Sequence, residues 1–232
     1  MLPKSKLVWS SVGKKIIMAL TGLAMIIFLL EHLSGNLLLL SKDPDPYNKY
    51  AHFLISFGWV IILAELVLVA ILAFHVYSGI SVAIGKKQAR PQAYHKTAAA
   101  GGPSKKNLAS STMIYTGVAL FIFLVIHLKT FKYGPGIEEG YVAQVEVSGE
   151  QVRDLHKLVV DVFQHPGYVI GYVAVMLFLG FHLRHGFWSA FQSLGVNHPR
   201  VTPLIYSLGL LVAAVLGVGF LLIPIWIYFT GA

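Results

Sequence analysis

IIMALTGLAMIIFLLEHLSGNLLLL, residues 16–40, carries a single charged side chain, Glu31, and beside it a single histidine, His32. A helix needs roughly 20 apolar residues to cross the hydrocarbon core of a bilayer, and this run supplies them. An ionisable group inside such a helix is costly unless something partners it, so by default it marks function. The reading of the whole chain turns on whether other apolar runs repeat that arrangement.

The composition allows them to. Of 232 residues, 56% are hydrophobic and only 12% charged, and the mean hydropathy is +0.70. Soluble domains are about a quarter charged, so the chain reads as an integral membrane protein. The absence of cysteine excludes disulfides, thiolate zinc sites, protein-ligated iron–sulfur clusters and c-type haem attachment. Ten histidines remain as candidate ligands. The opening KSKLVWSSVGKK, followed by the apolar run, has the look of a signal peptide, but no small-x-small cleavage site follows; it reads as a retained first helix.

Apolar stretches of spanning length fall at about 16–40, 57–84, 111–131, 167–191 and 203–229. The expectation is all-α: one integral membrane bundle of five transmembrane helices occupying residues 1–232. Charge sets its orientation. With the N-terminus inside, the inner segments hold Lys4, Lys6, Lys14, Lys15, Lys86, Lys87, Arg90, Lys96, Lys105, Lys106 and Arg200, and no acid. The outer loops hold six basic residues and eight acidic ones. The positive-inside rule then predicts a cytoplasmic N-terminus and an outer C-terminus, and the net charge of +8 needs no nucleic acid to explain it. The inner connector at 85–110 reads either as a solvated loop attracted to anionic lipid or as a dock for an acidic partner. In the outer loop at 132–166, Val152, Leu155, Leu158 and Val162 recur at helical spacing, which predicts a short surface helix.

His32, His75, His127 and His182 occupy the first four spans, one each. His32 and His127 each lie 16 residues after the start of an outward-running span, roughly 24 Å from its inner end. His75 and His182 each lie 9 residues before the inner end, about 14 Å up. The four therefore sort into two pairs of matching depth, a positional repeat without an evident sequence repeat. Singly, each histidine would be read as an interhelical hydrogen bond. In pairs, two imidazoles at one depth can clamp a metal or a haem iron from both sides, and two bis-histidyl b haems are the stronger reading. Both axial positions would then be filled, which suits electron transfer rather than oxygen chemistry. Gly35, Gly79 and Gly186 follow three of the four histidines; they leave room for a flat macrocycle or serve close helix packing. His52, His95, His156, His165 and His198 fall in loops or at interfaces and read as surface residues.

LLEHLSGN, LAFHVYSGISVAIGKK, LVIHLKTF and LGFHLRHGFWSAFQSLG, with SSVGKKIIMALTG and FQSLGVNHPR, resemble the five-helix, di-haem cytochrome b subunit of succinate:quinone oxidoreductases, the succinate dehydrogenases and fumarate reductases. The resemblance covers nearly the whole chain and is weakest at 132–166. It implies that His32 and His127 ligate a distal haem, and His75 and His182 a proximal one. The family's helix-four ligand stands four positions before a glycine with an aromatic soon after, which matches His182, Gly186 and Trp188 rather than His185. His185 and Arg184 are then candidates for haem propionates, or for lipid phosphate. The resemblance further implies menaquinone, a cytoplasmic flavoprotein subunit carrying the dicarboxylate site, an iron–sulfur subunit, and a place in the bacterial plasma (inner) membrane, in the respiratory chain and tricarboxylic acid cycle.

Glu31 and Glu65 are the only acids within the spans, both in the outer half. Quinone chemistry moves protons with electrons, and a buried carboxylate can shuttle them; a quinone pocket beside the distal haem, served by one of the two, is expected. The alternative for Glu31 is pairing with Lys42 or Lys129. Two rival functions stay open: a cytochrome b anchor of a hydrogenase or formate dehydrogenase, and a non-haem proton-coupled transporter with broken helices and polar stripes.

Overall fold

In lipid every backbone N–H and C=O has to be satisfied within the chain, so apolar runs of this length close their hydrogen bonds as helices. The structure, a computed structural model, describes residues 10–89, 108–136 and 143–231. The basic connector at 85–110, read either as a lipid-attracted loop or as a dock, lies mostly outside the described residues. The chain is mostly helical. Helix α1 (Ser11–Asn36) runs on through a 3-10 turn, Leu37–Leu40. Then come α2 (Asp45–Ser56), α3 (Trp59–Gln88) and α4 (Leu108–His127), the last prolonged by a π turn, Leu128–Lys132. A hairpin of β1 (Gln144–Val147) and β2 (Glu150–Arg153) precedes α5 (Leu155–Phe163), α6 (Pro166–Ser193) and α7 (Thr202–Thr230). Among the described residues, α1, α3, α4, α6 and α7, with their short extensions, are the five helices long and apolar enough to cross a membrane. Ile62, Leu66 and Val69 of α3 are exposed, as a helix bordered by lipid requires. Helix α7 runs unbroken through the buried Pro224.

Contacts divide the chain into two compact units. The first comprises Met1–Phe28, Val67–Val118 and Gly180–Ala214. Its buried side chains include Ala19, Ala109, Phe187, Trp188 and Ile205. Trp188 stacks on Tyr206 at 4.2 Å between ring centres, and Lys14 Nζ donates to Ser81 Oγ at 2.7 Å, which gives a cation near a helix end a neutral partner.

The second unit comprises Leu29–Leu66, Ala119–Leu179 and Val215–Ala232. Phe131, Phe163 and Tyr172 form an aromatic cluster in which Tyr172 meets both phenylalanines edge to face, with Phe163 and Tyr172 centres 5.0 Å apart; such pairs add about 0.5–1.5 kcal/mol beyond burial. The same unit contains the structure of the loop at 132–166, which departs from expectation. Val152 belongs to a strand, where it pairs with Val145, and the short helix starts only at Leu155. The cause is local chemistry. Ser148 (φ 55°) and Gly149 (φ 85°) make a two-residue turn with positive φ at both positions, which matches the twist of a hairpin and favours glycine. Asp154 then caps α5, its Oδ1 accepting from the Lys157 N–H at 2.9 Å.

Helix α2, for which the apolar pattern gave no signal, packs against this cap. Gly58 (φ 56°) separates it from α3. Buried Asn48 holds the two together: its Nδ2 donates to Asp154 Oδ1 at 2.8 Å and its Oδ1 accepts from the His156 N–H at 3.1 Å. His156 itself is buried, 6% exposed, rather than a surface residue. Its ring lies 6.3 Å from that of Tyr47, because the apolar face of α5 carries it inward with Val159 and Phe163. Burial pushes the Tyr47 phenol up to about 12, against the opposing pull of the Arg153 charge.

Two histidine pairs as the candidate functional site

In the first unit, His75 of α3 faces His182 of α6, with ring centres 6.4 Å apart and ring planes at 61°. In the second, His32 of α1 faces His127 of α4 at 5.8 Å and 89°. The pair partners are those of matching depth in the sequence. It is His182, not His185, whose ring meets His75.

Three of the four rings, those of His75, His182 and His127, are held through Nδ1. His75 Nδ1 lies 3.2 Å from the Met18 carbonyl oxygen and 3.3 Å from Thr21 Oγ1. His182 Nδ1 lies 3.1 Å from Thr116 Oγ1. His127 Nδ1 lies 3.2 Å from the Tyr172 hydroxyl, and its ring stacks on Phe123 at 5.6 Å. The Asn36 amide nitrogen, one turn beyond His32, donates to the His32 carbonyl oxygen at 2.7 Å and lies 3.4 and 3.5 Å from that ring's Nδ1 and Nε2, and Phe220 closes over the same ring at 5.7 Å. A metal-ligating histidine characteristically donates from its second ring nitrogen to an oxygen, and His75, His182 and His127 each have an oxygen there.

The spacing suits a shared metal. A metal–imidazole bond of about 2.0 Å on each side, plus about 1.1 Å from nitrogen to ring centre, would separate two rings on opposite sides of one metal by about 6.2 Å. The His75–His182 pair, at 6.4 Å, comes close to that value, and the His32–His127 pair, at 5.8 Å, is a little short of it. Among the described residues no three histidine, aspartate or glutamate side chains gather around one point. Two imidazoles are too few for a four-ligand zinc site. They are the number wanted where a planar macrocycle supplies the other four ligands. Near the His75–His182 pair, Ser78 Oγ and His185 Nδ1 are buried without a hydrogen-bond partner, three residues beyond His75 and His182 respectively. Buried polar atoms left over in this way are rare in folded proteins, and both fit an acceptor brought by a bound group. Arg184, by contrast, is exposed.

The glycines divide. Nothing packs within 4 Å of where a Cβ would stand on Gly186, and only Met18 Sδ, at 3.9 Å, approaches that of Gly79; both leave room. Gly35 serves packing instead: a Cβ there would fall less than 3.0 Å from three atoms of the Tyr50 side chain. Gly35→Ala is therefore expected to cost about 1–3 kcal/mol through overpacking. Thermal unfolding of the purified protein measures this, and a Tyr50→Ala background should abolish the difference.

Both acids have partners, and that of Glu31 is not one of those expected. Glu31 accepts a hydrogen bond from the Tyr50 hydroxyl at 2.5 Å, not from Lys42 or Lys129. Burial first, and that carboxylate second, push the Tyr50 phenol up to about 12. Glu65 is ion-paired with Lys132, which ends the π turn after His127. Turns of this kind recur at functional sites, and here the turn carries the chain from the histidine to the lysine within five residues. Both acids belong to the unit that holds His32 and His127.

Thr21, Thr116 and their neighbours Gly22 and Gly117 were missed by sequence reasoning. A Cβ on Gly22 would lie 3.2 Å from His75 Cε1, and one on Gly117 3.5 Å from His182 Cε1. A signal for them existed. MALTGLAMIIFLLEHL (residues 18–33) and MIYTGVALFIFLVIHL (residues 113–128) align without a gap, with nine of sixteen positions identical. That is an internal sequence repeat, contrary to the first reading, and it places a Thr-Gly pair in α1 and in α4 at the same distance before the histidine. No protein-family model matches this chain, and no curated protein or solved structure does.

Proposed function

We propose that the chain is the membrane-anchoring cytochrome b subunit of a succinate:quinone oxidoreductase, a succinate dehydrogenase or fumarate reductase. In this reading His75 and His182 hold a proximal b haem, and His32 and His127 a distal one. The observation that carries it is the meeting of four histidines from four spans in two facing pairs, at 6.4 and 5.8 Å. A haem held by each pair would supply single-electron exchange rather than oxygen chemistry. The chain's own residues do the rest. Thr21, Thr116, Met18 and Tyr172 hold the imidazoles by Nδ1, and the helices exclude water from the pairs. Glu65 or Glu31 moves the proton that a quinone gains or loses with its electrons.

The rest of the proposal follows from the resemblance and the charge pattern. The N-terminus faces the cytoplasm of a bacterial cell, where the basic inner segments dock a flavoprotein and an iron–sulfur subunit, and the quinone is menaquinone. The test is a dithionite-reduced absorption spectrum of the purified protein with a haem assay. Two b haems per chain and a co-purifying flavoprotein reducible by succinate are expected. Haem without flavin would point to a hydrogenase or formate dehydrogenase anchor. Absence of any b-type band would leave the proton-coupled transporter.

A further inference from the structure

The two inner histidines are gripped by one device used twice. In α1, the Thr21 hydroxyl lies 2.7 Å from the Ile17 carbonyl oxygen, and 3.2 Å from that of Met18. In α4, the Thr116 hydroxyl lies 3.1 Å from the Met113 carbonyl oxygen, and 3.3 Å from that of Thr112. A carbonyl oxygen only accepts, so each hydroxyl proton is directed to its own helix backbone, a habit of threonine in helices. Each Oγ1 is thereby left as an acceptor towards the facing imidazole. For His75 the Met18 carbonyl at 3.2 Å imposes the same polarity, since only a protonated Nδ1 can bond it. A neutral imidazole carries one ring proton. With that proton on Nδ1, the lone pair is on Nε2.

We propose that Thr21 and Thr116 are positioning residues that lock His75 and His182 in the Nδ1–H tautomer, so that both Nε2 lone pairs are free to ligate one metal, and that they tune the potential of that metal. The inference rests on the haem reading. Donation from Nδ1–H to an oxygen makes the imidazole more basic and favours the oxidised iron. Removing the acceptor therefore raises the midpoint potential. The two sites differ in a way that sharpens the test. Thr116 Oγ1 is the hydrogen-bond acceptor found for His182 Nδ1 among the described residues, whereas His75 keeps the Met18 carbonyl when Thr21 is removed.

The experiment is an optical redox titration of the intact complex carrying Thr116→Val, Thr21→Val or both, with the serine variants as controls. Thr116→Val should raise one of the two haem midpoints and leave the other in place. Thr21→Val should raise the same midpoint by less, and serine at either position should restore it. Unmoved midpoints in Thr116→Val, or a larger shift from Thr21→Val, would overturn the proposal. Should a valine variant lose haem, retention of haem and potential by the serine variant supports the hydroxyl's role, and loss in both overturns it. If the unaltered chain takes up no haem, the functional reading fails separately. The tautomer is then read by 15N-histidine NMR, where a protonated Nδ1 and bare Nε2 at His75 and His182 are expected, and the reverse refutes the lock.

Discussion

His75→Ala and His182→Ala are each expected to abolish the same one of two b haems, halving the haem content per chain. His32→Ala and His127→Ala should each abolish the other. The reasoning is geometric. A haem that two facing imidazoles would hold would lose half of its protein ligands when either is removed, and the rings facing each other are His75 with His182 and His32 with His127. Double variants make the pairing explicit. His75→Ala with His182→Ala should still bind one haem, whereas His75→Ala with His127→Ala should bind none. His185→Ala should keep both. Haem per protein by pyridine haemochrome, with reduced difference spectra, reads every arm. If His75→Ala and His182→Ala remove different haems, the pairing is wrong even if the chain is a cytochrome. The same variants should also unfold at lower temperature, since a ligand bound only by the native state stabilises it.

Glu65→Gln is expected to lower quinol-dependent turnover by about 100-fold or more, the scale of a lost general acid–base group, with both haem spectra intact. Glutamine keeps the size and the hydrogen-bonding oxygen but carries no exchangeable carboxyl proton. Lys132, paired with Glu65, supplies the control: Lys132→Met should alter turnover less, because the carboxylate survives. Glu31 is the other arm. Glu31→Gln retains an acceptor for the Tyr50 hydroxyl and should leave turnover within a few-fold. A collapse in Glu31→Gln with normal rates in Glu65→Gln would transfer the proton step to Glu31, and normal rates in both would remove these acids from the mechanism.

Much of the architecture was legible because it is one-dimensional. A membrane span is an unbroken length of apolar side chain, and its helical form follows from the need to satisfy the backbone in lipid. The spans read at 16–40, 57–84, 111–131, 167–191 and 203–229 coincide with the five long helices to within a few residues. The small structure between α4 and α6 was not legible in that way. Residues 132–166 are short of apolar runs, and the reading of Val152 as helical failed because a Ser-Gly turn and an aspartate cap, both local and polar, outweigh periodicity there. Helix α2 escaped for a related reason: its polar and apolar residues nearly balance, and its burial depends on Asn48 meeting Asp154 and His156 from distant parts of the chain.

By itself, the order of residues determined that four histidines would lie in four separate spans, two near one depth and two near another, and that Glu31 and Glu65 would be the acids among them. Only the tertiary structure decided what each meets: Tyr50 for Glu31, Lys132 for Glu65, the Thr-Gly pairs of α1 and α4 for His75 and His182. Hydropathy sets how far along a helix a residue lies but says little of the direction in which it points. That direction comes from the rotation at which neighbouring helices pack, and so from contacts between residues far apart in the chain.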